Sequence, residues 1–203
     1  MIKKFIFSLF FILLLISSQN VFANFLLNSG FEEGTWESVA DFPDDWTGKD
    51  GAGEWYLDWK NDAELAHSGS KYMSMGGQAE AAAWMWQRVT TVVPDERVTF
   101  SAWMKTDWGT PTGYLEINFK NAADESIYDY KVELFSEVVE TWTLYSISYT
   151  APAGTVFTDF VMTADGSGMV CYDDVSAVPE PGIFALSGIA VIALFLSKKY
   201  LSA

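Results

Sequence analysis

The sequence predicts an all-β fold, an antiparallel β-sandwich of the jelly-roll kind, and three observations carry that prediction. Short runs in which apolar and polar residues alternate recur from residue 54 to residue 175. Clusters of Gly, Pro, Asp and Asn separate these runs, as turns between short strands would. No window carries the 3.6-residue apolar period of an amphipathic helix. Roughly ten short strands then have to bury their apolar faces against one another, and two packed sheets are the usual solution.

The elements follow in order. Phe25, Leu26 and Leu27 are an apolar strand start, and Asn28-Ser29-Gly30 is a turn. Pro43-Asp44-Asp45-Trp46 reads as a loop entering a strand. Residues 54–59 alternate, with Trp55, Leu57 and Trp59 on one face. Residues 66–77 form a turn and then a short strand. Residues 84–93 put Trp84, Trp86 and Arg88 on one face and Met85, Gln87 and Val89 on the other. After the Pro94-Asp95-Glu96 turn, residues 97–105 set Val98, Phe100, Ala102 and Met104 against Thr99, Ser101, Trp103 and Lys105. Residues 114–119 group Leu115, Ile117 and Phe119, and residues 128–135 form another strand. Residues 142–150 alternate, Pro152-Ala153-Gly154 turns the chain, and residues 156–162 and 169–175 are the last two strands.

The ends have a different character. Lys3 and Lys4 precede an apolar run, residues 5–16, interrupted only by Ser8; a more polar stretch ends at Val21-Phe22-Ala23. This is the pattern of a secretory leader cleaved after Ala23, so residues 1–23 are expected to be a signal peptide. At the other end Val178, Pro179, Glu180 and Pro181 form an extended segment, because proline fixes φ and restricts its predecessor. Residues 183–196 carry no charge, and Lys198 and Lys199 follow. A helix over residues 182–197 would be about 24 Å long, enough to span a bilayer with the lysines snorkelling on the cytoplasmic side.

This order of a Pro-Glu-Pro motif, an apolar span and a basic end closely resembles the PEP-CTERM sorting signal of Gram-negative bacteria. The resemblance implies a single transmembrane sorting helix, an exosortase-type membrane protease as partner and inner-membrane anchoring before processing. It implies cell-surface or extracellular-matrix localisation afterwards. The basic end is lysine where arginine is commoner. The expected domain organisation is therefore signal peptide 1–23, β-sandwich domain 24–177 and sorting signal 178–203.

The whole chain carries a net charge of −15; residues 24–177 alone hold 26 acidic and eight basic residues, a net −18. That charge disfavours nucleic acid and anionic lipid as partners and favours solubility and cation binding. Cys171 is the only cysteine, so no intramolecular disulfide supports the domain. His67 is the only histidine, which excludes a His-rich zinc site and leaves any His-based triad one candidate.

A second likeness covers most of the central domain. Asn28-Ser29-Gly30-Phe31-Glu32, His67-Ser68-Gly69-Ser70, the strand over residues 97–105 and Tyr172-Asp173-Asp174-Val175 resemble carbohydrate-binding modules of the galactose-binding-like jelly-roll type. The likeness implies a structural calcium, with a carboxylate from Glu32, a backbone carbonyl from Lys71 or its neighbour, and a second carboxylate from Asp173 or Asp174. Calcium takes six to eight oxygens in flexible geometry, so this donor mixture suits it.

Sugar binding needs flat apolar platforms with polar groups beside them. Trp84, Trp86 and Trp103 are candidate platforms, and Gln87, Arg88 and Tyr114 candidate hydrogen-bonding side chains. The expected function is a non-enzymatic, exported, glycan-binding protein with extracellular polysaccharide as partner. The alternative is a structural surface or matrix protein whose tryptophans are core. A glycan-active enzyme is the third reading. The acidic pairs Glu32-Glu33, Asp44-Asp45 and Asp173-Asp174 could serve it, but neighbours on a strand point to opposite faces.

Overall fold

In the computed structural model, residues 23–35, 42–50, 55–77, 82–130 and 140–180 are described. The leader run (residues 1–22), Pro181, the apolar tail and its basic end lie outside the described residues. Among the described residues there are ten strands: β1 (Thr47–Asp50), β2 (Trp55–Asn61), β3 (Lys71–Gly77), β4 (Ala82–Val89), β5 (Arg97–Gly109), β6 (Thr112–Lys120), β7 (Ser126–Tyr130), β8 (Thr143–Thr150), β9 (Phe157–Asp165) and β10 (Gly168–Pro179). They form two five-stranded antiparallel sheets, ordered β1-β4-β9-β6-β7 and β2-β3-β10-β5-β8. The expected all-β sandwich is the fold observed.

Period-two alternation decides the core. Met73 and Met75 on β3, Val98, Phe100, Ala102 and Met104 on β5, and Val170 and Tyr172 on β10 point inward from one sheet. Ala83 and Met85 on β4, Leu115, Ile117 and Phe119 on β6, and Phe160, Met162 and Ala164 on β9 meet them from the other. Phe100 and Phe160 touch across the interface with ring centroids 5.2 Å apart. The Tyr172 hydroxyl, donating to the Thr163 carbonyl at 2.6 Å, links the sheets by a polar contact.

Three expectations are corrected. Residues 25–27 are not a strand. The Phe25 amide meets the Ala177 carbonyl at 2.8 Å, but Leu27 is held by the Gln87 side chain instead of a strand neighbour. The strand expected over residues 128–135 is described as β7, which starts at Ser126 and pairs with β6; residues 131–139 lie outside the described residues. The last strand, expected over residues 169–175, runs over Gly168–Pro179. Val178 pairs with Thr99 and Pro179 with Val98, since a terminal proline forfeits one donor only. Glu180 continues the contact. Its amide donates to the Arg97 carbonyl at 2.7 Å, and its carboxylate accepts from Thr99 Oγ1 at 2.6 Å and Arg97 Nε at 2.8 Å.

Phe100 is fully buried, so Phe100→Ala removes a large side chain from a site the two sheets cannot close. The expected loss is about 3–5 kcal/mol of unfolding free energy, read from the shift of the urea midpoint.

Candidate functional site: an aromatic and charged cleft on the outer sheet face

The face of the first sheet turned away from the core carries the residues left over from packing. On β4 the inward set includes Ala83, Met85, Gln87 and Val89, so Trp84, Trp86 and Arg88 point outward. On β6 Leu115, Ile117 and Phe119 point inward, leaving Tyr114, Glu116, Asn118 and Lys120 outside. β9 lies between them, with Asp159, Val161 and Thr163 outside.

Strand register sets these side chains in rows. Trp84, Thr163 and Tyr114 form one row, Trp86, Val161 and Glu116 the next, and Arg88, Asp159 and Asn118 the third. The central strand contributes short side chains between taller ones, and the result is a trough. It has a volume of about 370 Å³ and is lined from Trp84, Trp86 and Arg88 across to Glu116, Asn118 and Lys120. That is within the usual size range for a small-ligand cleft.

The two ends of the trough differ. Trp84, Trp86 and Tyr114 make one end aromatic, and burial, then the charge of Asp165, push the Tyr114 phenol up. At the other end Asp159, only 5% exposed, holds a network together. It accepts from Arg88 Nε at 2.6 Å and from the second guanidinium arm at 2.9 Å, a bidentate pair, and Lys120 Nζ lies 3.3 Å away. Asp124 closes the ring, 2.8 Å from Arg88 and 3.1 Å from Lys120. The Arg88 and Lys120 hydrogen bonds hold its carboxyl below the usual range. Arg88 also lies over the Phe157 ring, 5.2 Å from its centroid.

Of the residues singled out in the sequence, Trp84, Trp86, Arg88 and Tyr114 share this face; Gln87 and Trp103 do not. Gln87 points inward, accepting from the Leu27 amide at 2.7 Å and donating to the carbonyls of Leu27 and Asp45, both at 3.1 Å. It stands in for the strand neighbour that residues 25–27 lack. Trp103 lies on the second sheet, stacked against the His67 ring with centroids 3.9 Å apart. The residues that sequence reasoning missed are Lys120, Asn118, Glu116, Asp159 and Asp124. The alternation of residues 114–120 carried a signal for the first three. Asp159 had only its position as a charge inside an apolar run, and Asp124 had none.

The expected calcium corner is assembled from three segments. A β-bulge between Asp173 and Ser176, with Asp174 at φ 44°, turns the two aspartates toward the loop at residues 67–70. Asp173 is wholly buried and accepts from the amides of His67 at 2.9 Å, Ser68 at 3.1 Å and Asp174 at 2.7 Å. Asp174 meets His67 Nδ1 at 2.6 Å and Ser68 Oγ at 2.7 Å. Glu32 accepts from the amides of Ser70 and Lys71, both at 2.8 Å, and from Ser70 Oγ at 3.0 Å. Gly69, at φ 62°, leaves no room for a Cβ beside the Glu32 carboxylate. Lys71 meets Glu32 through donors, its amide and its ammonium, the latter 2.8 Å from the Glu32 carbonyl.

These groups suit calcium in kind, because three carboxylates offer hard oxygens in one corner. Among the described residues, however, no three acidic, His or Cys side chains converge as a metal site. The carboxylates are turned onto protein donors. Desolvation by burial, the largest cause, raises the Asp173 carboxyl to about 6, with Asp174 adding a like charge.

Arg88→Ala strands the buried Asp159 with Lys120 as its remaining basic contact. A loss of about 2–3 kcal/mol is expected in urea unfolding, against a much smaller loss for Asp124→Ala at the exposed end of the same network.

No family model and no curated protein sequence matches the chain. Solved structures do. The CBM22-1 xylan-binding domain of Paenibacillus barcinonensis Xyn10C aligns at 20% identity and a TM-score of 0.53, over 76% of this chain and 93% of that one. TmCBM61, solved in complex with beta-1,4-galactotriose, aligns at 16% identity and 0.50, over 78% of this chain and 99% of that one. The enzymatically active domain of Bacteriophage CBA120 tailspike protein 4 aligns at 18% and 0.59, over 77% of this chain but only 21% of that one. At such identities the likeness establishes the fold: this chain shares the jelly-roll sandwich of carbohydrate-binding modules.

Proposed function

We propose that the protein binds polysaccharide in the trough on the first sheet, without cleaving it, as an exported protein of the cell surface or extracellular matrix. The observation that carries the reading is the trough itself. Two tryptophans line one end, with Tyr114 on the same sheet face in register with Thr163, and a fixed array of donors and acceptors lines the other, the pairing that a pyranose ring with one apolar face and many hydroxyls requires. That modules of the same fold are named for xylan and complexed with a galactotriose adds support. The structural-scaffold alternative needs the tryptophans to be core. Trp46 and Trp59 are buried, but Trp84 and Trp86 are half-buried and outward. The non-enzymatic reading is supported by Asp159, whose oxygens are engaged by Arg88 and Lys120 instead of being offered to a glycosidic oxygen.

Export and sorting belong to the same reading. The leader, the Pro-Glu-Pro segment and the apolar tail with its basic end make an exosortase-type protease the expected processing partner. The inner membrane is then the site of the unprocessed form. Structural calcium is also proposed, with carboxylates from Glu32 and from Asp173 or Asp174 and a backbone carbonyl from Lys71 or its neighbour; to bind it, these carboxylates would have to turn from the amides and hydroxyls that hold them here.

Trp84→Ala and Trp86→Ala should each weaken polysaccharide binding about tenfold in an affinity-gel or calorimetric titration, with the melting temperature unchanged. Trp103→Ala, on the opposite sheet, should bind as the parent does. Equal losses from all three, or none, would return the tryptophans to a structural role. Reducing-sugar release on a substrate panel would overturn the non-enzymatic reading.

Calcium added to chelator-treated protein should raise the melting temperature, with about 2.7 kcal/mol gained at a hundredfold excess over Kd. Unchanged melting would remove the metal from the proposal and leave the corner to its hydrogen bonds.

A further inference from the structure

We infer that the trough selects an uncharged polysaccharide and rejects polyuronates, and that Asp124 and Asp159 set this choice. The inference rests on the glycan-binding reading above. Arg88 and Lys120 are the two basic side chains lining the trough, and in a free state they would attract an acidic glycan. Here both are spent on the protein. Asp159 takes a bidentate pair from Arg88 and lies 3.3 Å from Lys120; Asp124 takes a contact from each, at 2.8 and 3.1 Å. Among the described residues, these contacts use three of the five N–H donors of the guanidinium. Two remain, suited to neutral hydroxyl acceptors, which need a donor but bring no charge.

The local balance of charge runs the same way. Among the described side chains, against Arg88 and Lys120 stand Asp159, Asp124, Glu116 in the lining and Asp165 beside Tyr114, a net of −2. A polyuronate would bring a row of carboxylates into a walled trough already negative, on a chain of net charge −15. Like-charge juxtaposition of this kind costs affinity and slows encounter. A neutral chain loses nothing by entering and still stacks on Trp84 and Trp86. The two aspartates are therefore specificity-determining: Asp159 from its buried position fixes the direction of the guanidinium, and Asp124 cancels the charge that would otherwise show at the mouth.

The test is affinity electrophoresis of the purified full chain in gels containing unsubstituted β-1,4-xylan, β-1,4-galactan or polygalacturonate. Retardation by a neutral polymer and none by polygalacturonate is the expected result. Retardation by polygalacturonate equal to or stronger than by the neutral polymers overturns the charge selection and leaves the glycan-binding reading standing. No retardation by any polymer overturns both. Asp124→Asn, at a position 54% exposed and so compatible with the fold, uncovers Arg88 and Lys120. It is expected to acquire retardation by polygalacturonate, and a well-folded variant that does not would overturn the role given to Asp124.

Discussion

Each inner strand of this sandwich has to satisfy two environments at once, because successive side chains leave a strand on opposite faces. Everything else depends on that constraint. β4 meets it with Ala83, Met85, Gln87 and Val89 against the core and Trp84, Trp86 and Arg88 outside. β6 and β9 repeat the division in register, so the outward residues of three strands fall into rows. The trough is the geometric complement of the core. A one-residue slip of β4 would send its tryptophans into the core and its methionine to solvent, so packing the core and aligning the site are a single requirement.

The same constraint explains where the charge is tolerated. Asp159 sits on the outer face of a central strand, yet the residues around it leave it almost no water. A carboxylate in that position needs donors, and Arg88 and Lys120 supply them from the two flanking strands, one on each side. The ion pairs thus run across the sheet and tie β4, β9 and β6 together on the face opposite the core. At the far corner the solution is different. Asp173 is buried with backbone amides as its described partners, which satisfy its hydrogen-bonding capacity while leaving its charge uncancelled. Desolvation by burial, with the like charge of Asp174 added, then pushes the Asp173 carboxyl up to about 6.

Much of this was legible in the sequence, for a definable reason. The alternation of residues 84–88 and 97–104 shows which side chains share a face, and the fold reproduces both divisions. Alternation alone leaves open which sheet a strand joins, so Trp103 read as a partner of Trp84 although it lies across the sandwich, stacked on His67. Gln87 misled in another way. A polar residue beside two tryptophans looks like a ligand contact, but its position on the inner face of β4 makes it the acceptor and donor for residues that form no strand. Asp124 was beyond reach because it comes from the turn between β6 and β7 and meets Arg88 only through tertiary approach.

The described ends of the domain are fastened on the sheet away from the trough. Asn24 caps the final strand, accepting from the Ala177 amide at 2.8 Å and donating to the Val175 carbonyl at 3.1 Å. Glu180 is held by Arg97 and Thr99 at the start of β5. Both ends of the described domain are therefore fastened to the second sheet, while the trough opens on the outer face of the first. Leu27 reaches across to the first sheet through Gln87 on the core side of β4. The binding proposed for that face uses neither described end of the domain, so the glycan reading and the sorting reading can each fail without the other.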